Sequence, residues 1–304
     1  MEYLLSTDSL TKRYGRHKAV NSVNIHIRQG DIYGLIGRNG AGKTTLLRMI
    51  SGLASPTEGE FTLFGKRGKS AYRYLSRVGT LIEAPGIYPN MSAADNLRLK
   101  CLAMGVRKKG EIEELLDIVG LSETGKKKVK NFSMGMKQRL GIALALVGDP
   151  DLVILDEPIN GLDPQGIAEV RDTLSRLNRE RNLTMIISSH ILEELSKIAT
   201  RYGIIHDGVL LQELTREELL ERCSERIELM TDDTRRACTV LDEIGITEYK
   251  VVDADTIHIF ERLNDSGEIT MALAAHQIRT MGITVKNEAL EDYYLNLTGG
   301  GVNA

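Results

Sequence analysis

Cysteine is scarce in this sequence of 304 residues, which contains only three. Cys101, Cys223 and Cys238 lie far apart in the chain and form no Cys-x-x-Cys or Cys/His spacing. This pattern argues against both a disulfide framework and a zinc site. We therefore expect the protein to occupy a reducing compartment such as the cytosol.

Long hydrophobic runs are also absent. No apolar stretch approaches the ~20 residues that a helix needs to cross a bilayer. The first residues, Met1 to Ser6, lack a basic region followed by an apolar one, so they do not resemble an export signal. We expect any association with a membrane to come through a partner protein.

An excess of one charge sign is missing as well. The 39 basic and 42 acidic residues give a net charge of −3, so no global electrostatic field recruits nucleic acid. We therefore expect no direct nucleic-acid partner. With 42% apolar residues the chain can fill one large core and a smaller one, and its length predicts about two domains.

A glycine-rich loop is the strongest feature that the sequence does contain. It separates a strand-like segment, residues 32–36, from a helical segment, residues 46–50. Glycine lets several backbone N–H groups turn toward a polyphosphate, and the start of the following helix favours the same anion. A lysine adds a cation for the phosphates, and a threonine adds a hydroxyl group for Mg²⁺. The nucleotide-binding residues predicted in this Walker A P-loop are Gly37, Asn39, Gly40, Ala41, Gly42, Lys43, Thr44 and Thr45.

A glycine-rich connection with a chance lysine is the alternative interpretation of this loop. The context disfavours it, because Gly52 ends the helical segment and a second strand supplies carboxylates. That strand is apolar over residues 152–155 and ends in Asp156 and Glu157, the form of a buried parallel strand that delivers acids at its carboxyl edge. Asp156 suits Mg²⁺, and Glu157 can polarise an attacking water.

Two further side chains are candidates for the same site. His190 ends the apolar segment 183–189. A histidine at a strand end is usually a satisfied structural residue, but this one is predicted at the same sheet edge as Glu157 and can reach a γ-phosphate. Tyr14 offers a ring that can stack on a flat base, with an ordinary half-buried tyrosine as the alternative.

The spacing of apolar residues predicts two further regions within the first 212 residues. Alternating apolar residues from Val23 to Ile27 predict a strand that opens an antiparallel N-terminal lobe. Helical patterns over about residues 92–147 predict a helical insertion. Within it, Ser133 is placed to cap a helix and leave N–H groups free for an anion, with plain helix capping as the alternative.

The character of the chain changes after residue 212, and residues 213–304 are predicted to form a small accessory domain. A strand, a helix, two strands, a helix and a strand are expected over residues 227–230, 234–244, 246–252, 256–260, 267–281 and 283–286. This βαββαβ order predicts an α+β, ferredoxin-like domain. No acid pair, metal cluster or glycine loop marks it as catalytic, so regulation, support of a dimer and plain packing all stay open.

Taken in order, the motifs of residues 1–212 resemble those of the ATP-binding subunit of an ABC transporter. The similar segments are Tyr14 (A-loop aromatic), residues 37–45 (Walker A), 133–135 (signature loop), 155–158 (Walker B with the catalytic glutamate), 161–163 (D-loop) and His190 (switch histidine). The resemblance implies an α/β, P-loop NTPase core with an antiparallel β lobe and a helical insertion, followed by the C-terminal domain.

Two departures from the common family pattern indicate which subfamily the chain resembles. Residues 132–136 read Phe-Ser-Met-Gly-Met where most members carry Leu-Ser-Gly-Gly-Gln, and Glu83 stands where they carry the Q-loop glutamine. With the C-terminal extension, these variants are similar to the bacitracin and lantibiotic exporter or self-immunity ATPases. The resemblance therefore implies export of a peptide antibiotic or resistance to one.

The resemblance also implies the chemistry and the cofactor. ATP is bound and hydrolysed with Mg²⁺. The residues expected in catalysis are Lys43, Glu157 and His190. The residues expected around Mg²⁺ are Thr44, Glu83 and Asp156.

The partners follow from the same resemblance. Two subunits form a head-to-tail dimer, as a homodimer or with a related ATPase, in which Ser133 and Gly135 contact the ATP of the other subunit. The dimer drives a separate membrane permease, which places the chain at the inner face of the cell membrane. A soluble ABC ATPase acting on a ribosome or nucleic-acid complex is the alternative, disfavoured by the single cassette and the lack of sustained heptads. A purely regulatory nucleotide-binding module is disfavoured by Glu157 and His190.

Overall fold

The computed structural model describes residues 3–223, 225–286 and 290–298. The chain divides into two compact units, and the division falls between Arg216 and Glu217. The boundary predicted after residue 212 lies inside a strand, because the strand Val209–Thr215 continues past it.

The first unit contains eleven strands among its described residues. In chain order they are β1 (Leu5–Tyr14), β2 (His17–Val23), β3 (His26–Ile27), β4 (Ile32–Ile36), β5 (Glu58–Leu63), β6 (Lys66–Arg67), β7 (Val78–Leu81), β8 (Leu152–Asp156), β9 (Thr184–Ser189), β10 (Arg201–His206) and β11 (Val209–Thr215). The helices that accompany them are α1 (Lys43–Ile50), α2 (Ala93–Met104), α3 (Glu111–Ile118), α4 (Met134–Leu146), α5 (Pro164–Arg181) and α6 (Leu192–Ser196). A further helix, α7 (Arg216–Cys223), spans the division between the units.

A six-stranded sheet in the order β11-β10-β4-β9-β8-β7 forms the centre of the first unit. All neighbours in it are parallel except β10 and β11. Strands β4, β8 and β9 are buried along their whole length, and accordingly none of them alternates apolar with polar residues. Because the three are parallel neighbours, the loops that follow them meet at one edge of the sheet.

A second sheet, antiparallel, forms the N-terminal lobe in the order β2-β1-β5-β6, with β3 paired to β1. The continuous strand predicted from Val23 to Ile27 is interrupted, since β2 ends at Val23 and β3 begins at His26. Between them lies the exposed Asn24, whose side-chain oxygen accepts a hydrogen bond from the Ser9 N–H at 2.6 Å. The apolar alternation therefore continues through a break in the strand ladder.

Helices α2, α3 and α4 lie within the predicted helical insertion. Helix α2 begins with a capping box, in which Ser92 and Asp95 each bond the other's backbone N–H group. It ends at Gly105, whose φ of +72 suits a left-handed cap. Helix α4 begins after Ser133, whose hydroxyl oxygen accepts a bond from the Met136 N–H at 3.2 Å, as predicted.

One buried cluster joins the two sheets of the first unit. Helix α1 contributes Leu46 and Met49, the lobe contributes Phe61, and the central sheet contributes Ile154 and Ile186. All five side chains are at most 1% exposed. The loop before α1 is therefore anchored on a packed helix and a packed strand.

The second unit follows the predicted βαββαβ order, after which the structure adds one helix. Its strands are β12 (Arg226–Thr231), β13 (Tyr249–Val251), β14 (Thr256–Ile259) and β15 (Thr280–Lys286), and its helices are α8 (Thr234–Glu243), α9 (Ser266–Ala275) and α10 (Leu290–Leu297). The strands form one antiparallel sheet in the order β13-β14-β12-β15. Apolar residues of β12, β14, α8 and α9 make its separate core.

The helix predicted over residues 267–281 is too long. Helix α9 ends at Ala275, and β15 already begins at Thr280. Between them Gln277 adopts φ +56, and the His276 carbonyl oxygen accepts a bond from Arg236 at 2.7 Å. The pattern was misleading because Ile278 is buried in the turn and prolongs the apolar periodicity.

Among the described residues, no helix combines the length and the apolar character needed to cross a membrane. The three cysteines are free thiols, and Cys101 is buried.

Candidate functional site

The loop between β4 and α1 depends on glycine at two positions. Gly42 adopts φ +103, and a Cβ atom added there would lie 2.4 Å from the carbonyl oxygen of Ala19. A Cβ atom on Gly37 would lie 2.6 Å from the carbonyl oxygen of Ile205. Since the obstructing atoms belong to the backbone, only glycine lets the chain follow this path.

Helix α1 begins at Lys43 without a side-chain cap. Its N-cap is Gly42, and its first turn contains no acidic residue. The first backbone N–H groups of a helix have no partner within it, and the helix dipole places partial positive charge there. This end of α1 is therefore suited to bind the phosphates of a ligand.

The Lys43 side chain is only 5% exposed. Its Nζ donates hydrogen bonds to the carbonyl oxygens of Gly37 at 2.6 Å and Arg38 at 3.3 Å. The same nitrogen lies 3.1 Å from Oε1 of Glu157. The ammonium group is thus held between the glycine loop and the acid that follows β8.

Two hydroxyl groups hold the carboxylate of Asp156, the buried last residue of β8. Thr44 Oγ1 donates to Oδ2 at 2.8 Å, and Ser188 Oγ donates to Oδ1 at 2.5 Å. A buried carboxylate needs such donors to offset the loss of water. The structure therefore brings Thr44 and Asp156, which were predicted together, into direct contact.

Ser188 also orients Glu157, although the sequence analysis did not predict Ser188 as a site residue. The Glu157 N–H donates to Ser188 Oγ at 2.9 Å, because Asp156 and Ser188 are direct partners in the parallel strands β8 and β9. A signal was available in the sequence. Ser188 and Ser189 end an apolar strand and are fully buried, and buried hydroxyl groups require partners.

Glu157 and His190 meet at the edge of the sheet. Oε2 of Glu157 lies 2.8 Å from Nδ1 of His190, and the two side chains are 19% and 33% exposed. Glu157 adopts φ +49, an uncommon conformation for a residue with a Cβ atom. The carboxylate is therefore fixed from three sides, by Ser188 through its backbone, by Lys43 and by His190.

A cavity of about 370 Å³ lies between the P-loop, Glu157 and the N-terminal lobe. Tyr14 and His17, which face each other across the turn between β1 and β2, line it together with residues 38–45 and Glu157. Tyr14 is 50% exposed, so its ring is accessible to a flat base. Predicted residues 39–45 border this cavity, whereas Gly37 lies behind it against Ile205.

Comparisons with known proteins decide the family. The family model for ABC transporters matches residues 20–160. Over 303 residues the chain is 43% identical to the bacitracin transport ATP-binding protein BcrA of Bacillus licheniformis, and the match covers 99% of each protein. The chain belongs to the ABC transporter family. It is an ATP-binding subunit of that family and hydrolyses ATP.

Two further comparisons match this ABC subunit over about the length of its first unit. The lantibiotic transport ATP-binding protein SrtF of Streptococcus pyogenes is 43% identical over 210 residues, which is 69% of this chain and 90% of SrtF. The dimeric structure of a bacterial ABC transporter cassette aligns at a TM-score of 0.63 and 25% identity, over 70% of this chain and 98% of the cassette.

The signature-loop residues of this ABC subunit lie apart from the cavity. Ser133 is exposed at the start of α4, Gly135 lies in its first turn, and neither lines the cavity that Lys43 borders. Their contact with the ATP of a second subunit stays a prediction.

Glu83 of the Q-loop position is paired with a cation. Its carboxylate forms an ion pair with Arg48 of α1, and its side chain is 60% exposed. It adopts φ +64 in the loop after β7. Within the described part of the chain, no three His, Cys, Asp or Glu side chains cluster as a metal site. The role of Glu83 as a Mg²⁺ ligand stays a prediction.

Proposed function

We propose that this chain powers the export of a bacitracin-like peptide antibiotic through a separate membrane permease. The observation that carries the proposal is the extent of the match with BcrA, which covers 99% of both proteins and so includes the C-terminal unit. The match with SrtF covers only 69% of this chain. The full-length similarity therefore favours a bacitracin-like over a lantibiotic cargo.

Mg²⁺ fits the oxygen atoms at the end of β8. Thr44 Oγ1 and Asp156 Oδ2 lie 2.8 Å apart, so both can face one ion, and Mg²⁺ favours hydroxyl and carboxylate oxygens together with substrate phosphates. A site with few protein ligands is usual for Mg²⁺ bound with a nucleotide. When bound there, the ion neutralises charge on the β- and γ-phosphates. Glu83 is proposed to join this set.

Hydrolysis is proposed to depend on charges that the fold already fixes. The Lys43 ammonium group and the start of α1 stabilise the negative charge of the phosphates. Glu157 accepts a proton from the attacking water, since its carboxylate is held at the sheet edge by Lys43 and His190. His190, through Nδ1, orients that carboxylate and is placed to contact the γ-phosphate.

We propose that ATP closes a head-to-tail dimer, in which Ser133 and Gly135 meet the ATP held by the partner's P-loop. The dimeric cassette that aligns with this chain supports a dimer. The exposed position of Ser133 supports its role in trans, because the residue lies at a helix N-terminus, which favours anions. The partner is proposed to be a second copy or a related ATPase.

Glu157→Gln should trap this dimer. The amide keeps the shape of the side chain but cannot accept the proton, so hydrolysis should fall by a factor of about 10² or more. With MgATP the variant should run as a dimer in size-exclusion chromatography, and without nucleotide as a monomer. A variant that stays monomeric with MgATP would contradict the proposed assembly.

The permease is proposed to dock in a groove beside the Q-loop position. A cavity of about 300 Å³ there is lined by apolar and polar side chains of the loop after β7 and of helices α2 and α4, among them Pro85, Tyr88, Leu99 and Leu144. Tyr88 is 60% exposed. Such a groove suits a short helix of a partner protein, and through it the chain would lie at the inner face of the membrane.

The second unit is proposed to be a ferredoxin-like domain. Its element order, βαββαβ, and its antiparallel sheet with β12 and β14 in the centre support this assignment.

Resistance measured in cells tests the proposed cargo. The chain is expressed with the permease encoded beside it in a sensitive bacterium, and the inhibitory concentrations of bacitracin and of a lantibiotic are measured. We expect the inhibitory concentration of bacitracin to rise and Glu157→Gln to abolish the rise. Protection against the lantibiotic alone, or against neither peptide, would contradict the proposal.

A further inference from the structure

Helix α4 begins at the signature loop, which is proposed to face a second subunit, and helix α5 begins at the D-loop. Ser133, in the signature loop, caps α4 through the Met136 N–H, and Asp163, in the D-loop, caps α5 through the Gly166 N–H at 3.1 Å. Both helices therefore start from short polar caps that fix where the chain enters them. The relative position of the two loops follows from how α4 and α5 lie against each other.

The first turns of the two helices approach each other through glycine. A Cβ atom on Gly135 of α4 would lie 4.0 Å from Cα of Gly166 and 3.9 Å from Leu162. A Cβ atom on Gly161 would lie 3.0 Å from Met134. A Cβ atom on Gly135 would therefore make only ordinary van der Waals contacts, whereas the contact at Gly161 is tight. Glycine itself adds no side chain to either contact.

An ion pair lies further along the same two helices. Nη2 of Arg139 on α4 is 3.3 Å from Oε2 of Glu169 on α5. Arg139 follows the cap Ser133 by six positions, and Glu169 follows the cap Asp163 by six positions. The helices are therefore paired at equal distance from their two loops, and they run side by side in the same direction from them.

The guanidinium group of Arg139 is held on a second side by α3. Its Nη1 donates to the carbonyl oxygens of Val119 at 2.9 Å and Gly120 at 3.1 Å, just beyond the end of that helix. Carbonyl groups at a helix end lack partners within the helix and favour a cation. The side chain is 16% exposed, and its Nε is buried without an acceptor among the described residues. The contacts of the two terminal nitrogens must therefore stabilise the buried guanidinium group by more than its unpaired Nε–H donor costs.

We propose that Arg139 is a positioning residue, which through Glu169 fixes α4 against α5 and so holds the signature loop where it can reach the second subunit. This inference rests on the proposed ATP-driven dimer. The ion pair depends on the register of the two helices, because each of its side chains lies six positions after the cap of its helix. Losing the ion pair should weaken the dimer and leave ATP binding by the P-loop unchanged.

Arg176 provides a matched control. It lies on α5, as Glu169 does, and its Nη2 donates to the carbonyl oxygen of Ile118 at 2.5 Å. It therefore holds the end of α3, as Arg139 does, but among the described residues no hydrogen bond or ion pair joins its side chain to α4. Replacing Arg176 removes support from α3 and leaves the pair between α4 and α5 in place.

The test compares Glu169→Ala, Arg139→Lys, Arg139→Gln and Arg176→Ala, each combined with Glu157→Gln in the full-length chain. Affinity for MgATP is measured by calorimetry at concentrations where the chain is monomeric. The dimer dissociation constant with MgATP is measured by sedimentation equilibrium. Unfolding midpoints identify variants with damaged folds.

We expect Glu169→Ala and Arg139→Gln to raise the dimer dissociation constant about fivefold or more, because each dimer contains two such pairs. ATP affinity should stay within about twofold. Arg139→Lys, which keeps the charge, should recover part of the loss, and Arg176→Ala should dimerise like the parent.

Two results would overturn the positioning role alone: parental dimerisation by Glu169→Ala, or an equal loss in Arg176→Ala. A parent Glu157→Gln chain that stays monomeric with MgATP would overturn the proposed dimer, and the positioning role with it.

Discussion

At the scale of single residues, Ser188 is the clearest gain from the structure. One hydroxyl group donates to Asp156 at 2.5 Å and accepts from the Glu157 N–H at 2.9 Å, so it aligns the two acids expected at Mg²⁺ and at the attacking water. The sequence identified both acids from their place after an apolar strand. It did not identify the serine, because pairing between β8 and β9 joins residues that are 32 positions apart.

Ser188→Ala should therefore lower ATP turnover without unfolding the chain. Residues that orient metal ligands typically contribute about 10- to 100-fold to metal affinity or activity, and we expect a loss in that range. The measurements are kcat and the Mg²⁺ concentration for half-maximal rate, with Ser189→Ala as the neighbouring control. Unchanged values for both would show that Asp156 and Glu157 keep their places without the hydroxyl group.

The glycines of the P-loop are required for different reasons, either backbone conformation alone or backbone conformation together with steric space. Gly42 has φ +103, and one backbone oxygen lies 2.4 Å from its Cβ position, whereas Gly40 has φ +86 and no atom within 4 Å of its Cβ position. Gly40→Ala should meet only the backbone strain, about 1–3 kcal/mol. Gly42→Ala adds a clash with the Ala19 carbonyl group and should abolish measurable ATP binding in calorimetry. Equal affinities of the two variants would contradict the steric argument.

At the scale of elements, the sequence predicted whether a segment is a helix or a strand better than it predicted where that helix or strand ends. The strand–loop–helix around residues 32–50 and the apolar strand before Asp156 are as expected, because a continuous apolar run and a glycine loop have few alternatives. The predicted helix 267–281 overran α9 because Ile278 is buried in a turn. The pairing of α4 with α5 has no signal in the sequence, since it depends on tertiary contacts of Arg139 and Glu169.

The sheet of the second unit should be less stable in acid. Burial, and then the charge of Arg226, lower the pKa of His258 on β14 below its ordinary value of 6.5. The unfolded chain then binds a proton before the folded chain does, so stability falls as pH decreases below about 6.5. Glu228 and Glu221 oppose this shift without cancelling it.

Hydrogen exchange measures this effect. Protection of the β12 and β14 amides, corrected for the intrinsic exchange rate, should decrease between about pH 7.5 and pH 5.5. His258→Asn removes the titrating group, so the decrease should become smaller. Protection that rises in acid would show that the carboxylates near His258 dominate instead.

At the scale of the whole molecule, the residues expected to bind nucleotide all belong to the first unit. They lie between Tyr14 and His190, and the division between the units falls after Arg216. The end of the first unit is nonetheless part of its fold. Leu214 on β11 is 2% exposed, and Glu213 accepts a hydrogen bond from the His26 N–H at 2.8 Å.

Two truncations distinguish the contribution of the second unit from that of the end of β11. A chain ending at Arg216 should fold and bind MgATP with an affinity within about threefold of the full chain, because it keeps β11 and its pairing with β10. A chain ending at Gln212 loses Glu213, Leu214 and the last rungs of that pairing, and should have a clearly lower unfolding midpoint. Circular dichroism and calorimetry with MgATP check both. If the chain ending at Arg216 is folded yet fails to bind ATP, the second unit helps to build the site; if both truncations are equally stable, β11 contributes less than its burial indicates.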